Sequence, residues 1–98
     1  MKGAIEVPLE TMAEGIEAFK CLKVAAELGS VHALSDVGVG VLATRMCVKG
    51  AAHNVEINLK SMKAAAAASA YRGRMESFLA QALGLEGDIE QALRAREG

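Results

Sequence analysis

The sequence predicts an all-α fold of antiparallel long helices that assemble as an oligomeric helical bundle. Three observations predict it: apolar residues recur at three- and four-residue steps, no strand-like alternation of useful length appears, and apolar content is high with few aromatic rings. Of 98 residues, 52% are hydrophobic and only 3% aromatic. Alanine, valine, leucine and methionine bury little area apiece, so close backbone packing has to make up the difference. A chain of this length buries only about 60 to 65% of the surface its unfolded form exposes. The core is therefore marginal, and a partner surface is expected.

Composition excludes several functions. Eleven basic residues against twelve acidic ones give a net charge of −1, and neither sign forms a block able to neutralise a run of phosphates, which argues against nucleic acid. Cys21 and Cys47 lie far apart without the Cys/His spacing of a zinc site, a pattern that fits two buried thiols in a reducing, cytoplasmic setting. The most apolar stretch, 37–59, contains Arg45, Lys49 and Glu56 and so fails as a membrane span. No signal peptide is expected from the opening residues.

The chain reads as one helical unit, 1–98, whose segment 84–98 forms a loosely docked tail. Helix one is expected to start at Val7-Pro8-Leu9, because proline suits the first turn and Glu10 would then sit near the positive helix end. Leu9, Met12, Ile16 and Phe19 carry its apolar face, and Gly29 can close it near Leu28 in the left-handed conformation. Ser35 can cap a second helix with Asp36 in its first turn. The alanines 64–68 favour a third helix, possibly continuous with the second, with Tyr71, Met75, Phe78, Leu79 and Ala82 on its face and Gly84 at its end. Gly87-Asp88 can cap a last short helix through Arg96.

Helix two is the most informative element. At 100° per residue, Asp36, Gly40, Ala43, Cys47, Gly50, Asn54 and Asn58 fall within about 40° of one line. Three glycines, Gly38, Gly40 and Gly50, each cost up to ~1 kcal/mol of helix propensity, which close approach of another helix along this stripe would offset. The helix 36–60 stripe is therefore the expected homo-oligomer contact, at least a dimer. Asp36 and Asn54 are separated by roughly 27 Å of axial rise, so only two antiparallel copies could bring them into one site.

Asp36 is a candidate general acid or base, and equally a helix-stabilising residue after a cap. Asn54 and Asn58 present two amides that either fix helix register or line a polar slot for a heterocycle. His32 and His53 have no second ligand at metal spacing, so no metal is expected. Arg72, Arg74, Lys60 and Lys63 form a mild basic cluster, either a solvated face or a carboxylate contact.

The segments Val7-Pro8-Leu9, Ser35-Asp36-Val37-Gly38-Val39 and Gly50-Ala51-Ala52-His53-Asn54-Val55-Glu56-Ile57-Asn58-Leu59, in this order and spacing, resemble the formimidoyltetrahydrofolate cyclodeaminase and methenyltetrahydrofolate cyclohydrolase family. The match runs from about Ile5 to Lys63 and resembles the C-terminal half of the family's helical domain. His53 departs from the pattern, which usually has an apolar or aromatic residue there. The family's glycine-rich segment of Pro-Gly-Gly-Gly-Ser type has no counterpart before Ile5.

The resemblance implies a dimeric or larger helical enzyme of one-carbon metabolism. Such an enzyme either closes the formimino group of a folate onto the neighbouring nitrogen with release of ammonia, or hydrolyses the methenyl bridge. It implies Asp36 as catalytic residue, Asn54 and Asn58 as substrate-binding residues, and no cofactor beyond the tetrahydrofolate derivative that is the substrate. A half-domain would need its complement for activity. The alternative is a non-catalytic helical oligomerisation module left from such an enzyme.

Overall fold

The computed structural model describes residues 2–97 and contains three long helices, α1 (Lys2–Leu28), α2 (Leu34–Leu59) and α3 (Ala65–Glu97), with a single 3-10 turn at Val31–Ala33. There is no strand among the described residues, in agreement with the all-α expectation. α2 runs antiparallel to both α1 and α3, and the molecule is 52 Å long with a cross-section of 16 × 15 Å. That length is what a 33-residue helix at ~1.5 Å per residue requires.

One apolar seam builds the core. On α1, Ile5, Leu9, Met12, Ile16, Phe19 and Ala26 are buried, at steps of four and three residues that keep a single face toward the neighbours. Val37, Val48, Ala51, Val55 and Leu59 answer from α2, and Met75, Ala82 and Ile89 from α3. The seven-residue spacing of these last three matches the coiled-coil repeat that lets long helices stay in contact. Phe19, at 0% exposure the largest fully buried side chain, sits near the middle of this seam.

Two glycines set how closely α1 and α2 approach. A Cβ on Gly15 would lie 2.3 Å from Val48 Cγ2, and one on Gly40 would lie 2.8 Å from Leu22 Cδ2. Val48 is β-branched and buried, so it has no free rotamer to move into. Leu22 is only half-buried and can swing its tip aside. Gly40 thus meets its close neighbour within the same chain.

Several local expectations are corrected. α1 begins at Lys2, so Pro8 lies inside it and Glu10 is not in its first turn. An interior proline removes one helical hydrogen bond and costs about 3 kcal/mol. Here the carbonyl it leaves unpaired belongs to the exposed Ala4, where water can reach it, and burial of Ile5 rewards the extra turn. Gly29 is not left-handed, since no described glycine has positive φ. Its N–H donates to Ala25 O at 2.8 Å, and a Cβ would lie 2.5 Å from that same oxygen, which explains the glycine differently.

Ser35 does not cap α2. The N-cap position is Ala33, without a side-chain bond, while Ser30 Oγ accepts from the His32 N–H at 3.2 Å and caps the 3-10 turn. α2 and α3 are not continuous: bonds from Ser61 N–H to Asn58 O and from Met62 N–H to Leu59 O close a turn at 60–64. Gly84 does not end α3, and Gly87-Asp88 does not start another helix; α3 passes through both. Within 84–98, Ile89 is 1% exposed and Arg96 donates to Ala26 O at 3.0 Å.

Ion pairs join the helices at both ends. Arg72 meets Glu56 at 2.8 Å, Arg74 meets Glu6 at 3.2 Å, and Lys23 meets Asp88 at 3.3 Å. The Arg74 guanidinium also lies 6.0 Å from the Tyr71 ring centre. Burial, and then the Glu6 carboxylate, hold the Tyr71 hydroxyl above its ordinary value of 10.0, against the opposing pull of Arg74.

Replacing Gly15 by Ala is expected to lower stability by about 1–3 kcal/mol through overpacking against Val48, whereas Gly40→Ala is near neutral or stabilising. Thermal unfolding followed by circular dichroism checks the contrast. Tyr71 sets an alkaline limit. Because its folded value is raised, its contribution is fully present below the ordinary value and is lost as pH rises through the folded one. Melting temperature is therefore expected to fall above about pH 10, less steeply in Tyr71→Phe.

Candidate functional site

The α1–α2 packing leaves an open groove on one side of the seam. Val7, Pro8 and Thr11 of α1 face Met46, Cys47, Gly50, Ala51 and Asn54 of α2 around a cavity of about 330 Å³. A second depression of about 270 Å³, walled by Glu14, Gly15, Ala18, Ala43 and Thr44, shares Thr11 and Cys47 with the first. The two form one channel along the helix pair, and a cavity of a few hundred Å³ suits a small heterocycle.

Polar groups in the channel are mostly turned toward their own backbones. Thr11 Oγ1 donates to Val7 O at 3.2 Å and Thr44 Oγ1 to Gly40 O at 2.8 Å. The half-buried Asn58 donates through Nδ2 to Asn54 O at 2.8 Å, so this amide holds the last turns of α2 rather than facing the groove. Asn54 lines the groove, and its side-chain amide makes no hydrogen bond among the described residues. It therefore has both a donor and an acceptor to offer a ligand.

Val7-Pro8 and Gly50 to Asn54, two of the three segments singled out in the sequence, line one cavity. Asp36 does not join them. It is exposed in the first turn of α2, roughly 27 Å of helix away from Asn54. Within one copy Asp36 and Asn54 cannot share a site. The basic cluster is also dispersed, because Arg72 and Arg74 are paired with Glu56 and Glu6.

Thr11 and Glu14 were not singled out as site residues. With Val7 and Ala18 they occupy steps of four, three and four along α1, beside the buried face, so their common side was legible from spacing alone. On the opposite side of α2, Arg45 Nε donates to Glu86 at 2.7 Å, and the Glu86 side chain is only 13% exposed. This pair edges a larger apolar hollow of about 420 Å³ between α2 and α3, lined by Val39, Leu42, Ile89 and Leu93. Glu86, by hydrogen bond and charge, strengthens the proton affinity of Arg45, with burial opposing. The pairing depends on a separation of 41 residues that periodicity cannot reveal.

No group of three or more His, Cys, Asp or Glu among the described residues could hold a metal ion. Cys21 and Cys47 are both free and exposed, which corrects the expectation of buried thiols. By length and composition alone, Val31–Leu59 is apolar enough to cross a membrane, with a mean hydropathy of 1.3. The charges at Arg45, Lys49 and Glu56 oppose that role.

These features define an all-α helical unit with an open groove between two of its helices, and comparison with known proteins gives it a family. The chain belongs to the formiminotransferase-cyclodeaminase family, which matches residues 1–77. It is 30% identical over 96 residues to the methenyltetrahydrofolate cyclohydrolase of Methylorubrum extorquens (strain AM1), covering 98% of this chain and 46% of that protein. The chain thus spans a little under half the length of this relative. No solved structure matches it.

With both thiols exposed, a colorimetric thiol reagent is expected to titrate two cysteines in the native protein. Only a fraction of one equivalent before denaturation would contradict the open groove at Cys47.

Proposed function

We propose that this chain is part of a cytoplasmic folate-handling enzyme, acting as a cyclohydrolase on the methenyl bridge or as a cyclodeaminase that closes the ring with loss of ammonia. The observation that carries the reading is the groove itself, where Val7-Pro8 and the Gly50 to Asn54 segment meet. Membership of the family and likeness to a cyclohydrolase support the substrate class.

Placement supports the following roles. The unpartnered Asn54 amide would hydrogen-bond the ring edge of the folate, while Gly50 and Ala51 leave room for its face. Asn58 would act indirectly, by fixing the turn that carries Asn54. Asp36 would serve as acid or base in a site to which another polypeptide contributes, since its own chain keeps it far from Asn54. Ring closure and bridge hydrolysis both require a proton donor and an acceptor held near the bound folate, and one groove with a single carboxylate, Glu14, does not supply that set.

The competing reading is a self-associating helical module without chemistry, favoured by the exposed small residues Ala43 and Gly50 on the 36–60 stripe. Calorimetric titration with methenyltetrahydrofolate separates the two, run on the chain alone and on the chain completed by the rest of the domain. Saturable heat is expected only in the completed form, weakened about tenfold by Asn54→Ala, as loss of one hydrogen bond implies. No heat in either form would leave the assembly module.

A further inference from the structure

α2 carries apolar side chains on both sides of its axis, and one side is left largely exposed. Val37, Val48, Val55 and Leu59 enter the core, while Val39, Leu42, Met46 and Ile57 lie opposite at 66%, 59%, 73% and 51% exposure. At 100° per residue Val39, Met46, Gly50 and Ile57 fall within about 40° of one another. A helix apolar nearly all round is normally packed on more than one side. In its most apolar window only 17% of the residues are buried.

Gly50 lies on this side with open space over it, as Gly3, Gly38, Gly73, Gly84 and Gly87 also have. A Cβ there would meet nothing within 4 Å, unlike Gly15 and Gly40, whose neighbours lie in the same chain. Nothing inside this molecule calls for a glycine at position 50, although glycine weakens a helix relative to alanine.

The size of what is uncovered indicates the occupant. The chain spans 46% of the cyclohydrolase it resembles, so the rest of that protein is a polypeptide of comparable length. α2 is 26 residues long, so its outer side offers a contact strip of about 39 Å along the helix axis. We propose that the outer face of α2 seats the polypeptide equivalent to the unmatched part of the cyclohydrolase, with Gly50 admitting its backbone closely. Met46 and Gly50 belong both to this face and to the groove beside Pro8 and Asn54, so the docked polypeptide roofs the groove. This assignment rests on the reading of the chain as part of a folate-handling domain.

The test is co-expression of the chain with the unmatched segment of the Methylorubrum protein, followed by analytical ultracentrifugation. A one-to-one complex is expected, weakened at least tenfold by Gly50→Leu and by Met46→Asp, while Gly50→Leu leaves the melting temperature of the free chain unchanged or higher. A homodimer that Gly50→Leu dissociates and that ignores the segment would give the face to a second copy. Partition of the free chain onto phosphatidylglycerol vesicles would give it to lipid. A monomer that ignores the segment, or a lowered melting temperature in Gly50→Leu, overturns the proposal outright. Titration of methenyltetrahydrofolate into the complex separates the two readings: a complex without folate heat keeps the docking and removes the folate role, and folate heat from the chain alone with no complex does the reverse.

Discussion

The close approach of α1 to α2 is the constraint on which the rest of the structure depends. It exists because Gly15 presents no side chain to Val48, so the helices meet nearly backbone to side chain at that level. Dispersion contacts fall off steeply with separation, and a core built from Ala, Val, Leu and Met has little bulk with which to fill a gap. Bringing the axes together closes the seam around Phe19 and Val48. The same approach leaves the channel at its rim, where Thr11, Cys47, Gly50 and Asn54 face one another without filling the space between them.

α3 completes the core on the other side and is held by a different kind of contact. Its buried residues are few, Met75, Ala82 and Ile89, and its exposed positions carry the arginines and acids that tie it to α1 and α2. Exposed ion pairs contribute little stability each. Their value here lies in register: Arg74 with Glu6 at one end and Arg96 with Ala26 O at the other fix α3 parallel to α1. The mostly buried Glu86 carboxylate, held by Arg45, does the same between α2 and α3.

This arrangement leaves α2 in an unusual position. It packs against both other helices, as each of them also does, yet Val39, Leu42, Met46 and Ile57 on it remain exposed. The chain spans a little under half the length of its cyclohydrolase relative. The groove has walls from α1 and α2 and offers a single carboxylate, Glu14.

The sequence by itself determined the helical class, the buried face of α1 from Leu9 to Phe19, and the family, because local spacing and short motifs carry that information along the chain. It also placed Asn54 and Asn58 on one side of α2, since four residues make about one turn. It did not reveal that Asn58 bonds back to Asn54 O, because both alternatives fit that spacing equally. Tertiary structure alone decided the helix boundaries. Pro8 is tolerated inside α1 and Gly84 and Gly87 inside α3 because burial of Ile5 and Ile89 outweighs local propensity, while the turn at 60–64, free of Gly and Pro, forms because α3 must reverse to reach the core. The meeting of Pro8 with Asn54, and of Arg45 with Glu86, joins residues some 40 positions apart. Such contacts are set by how whole helices pack, which no local pattern encodes.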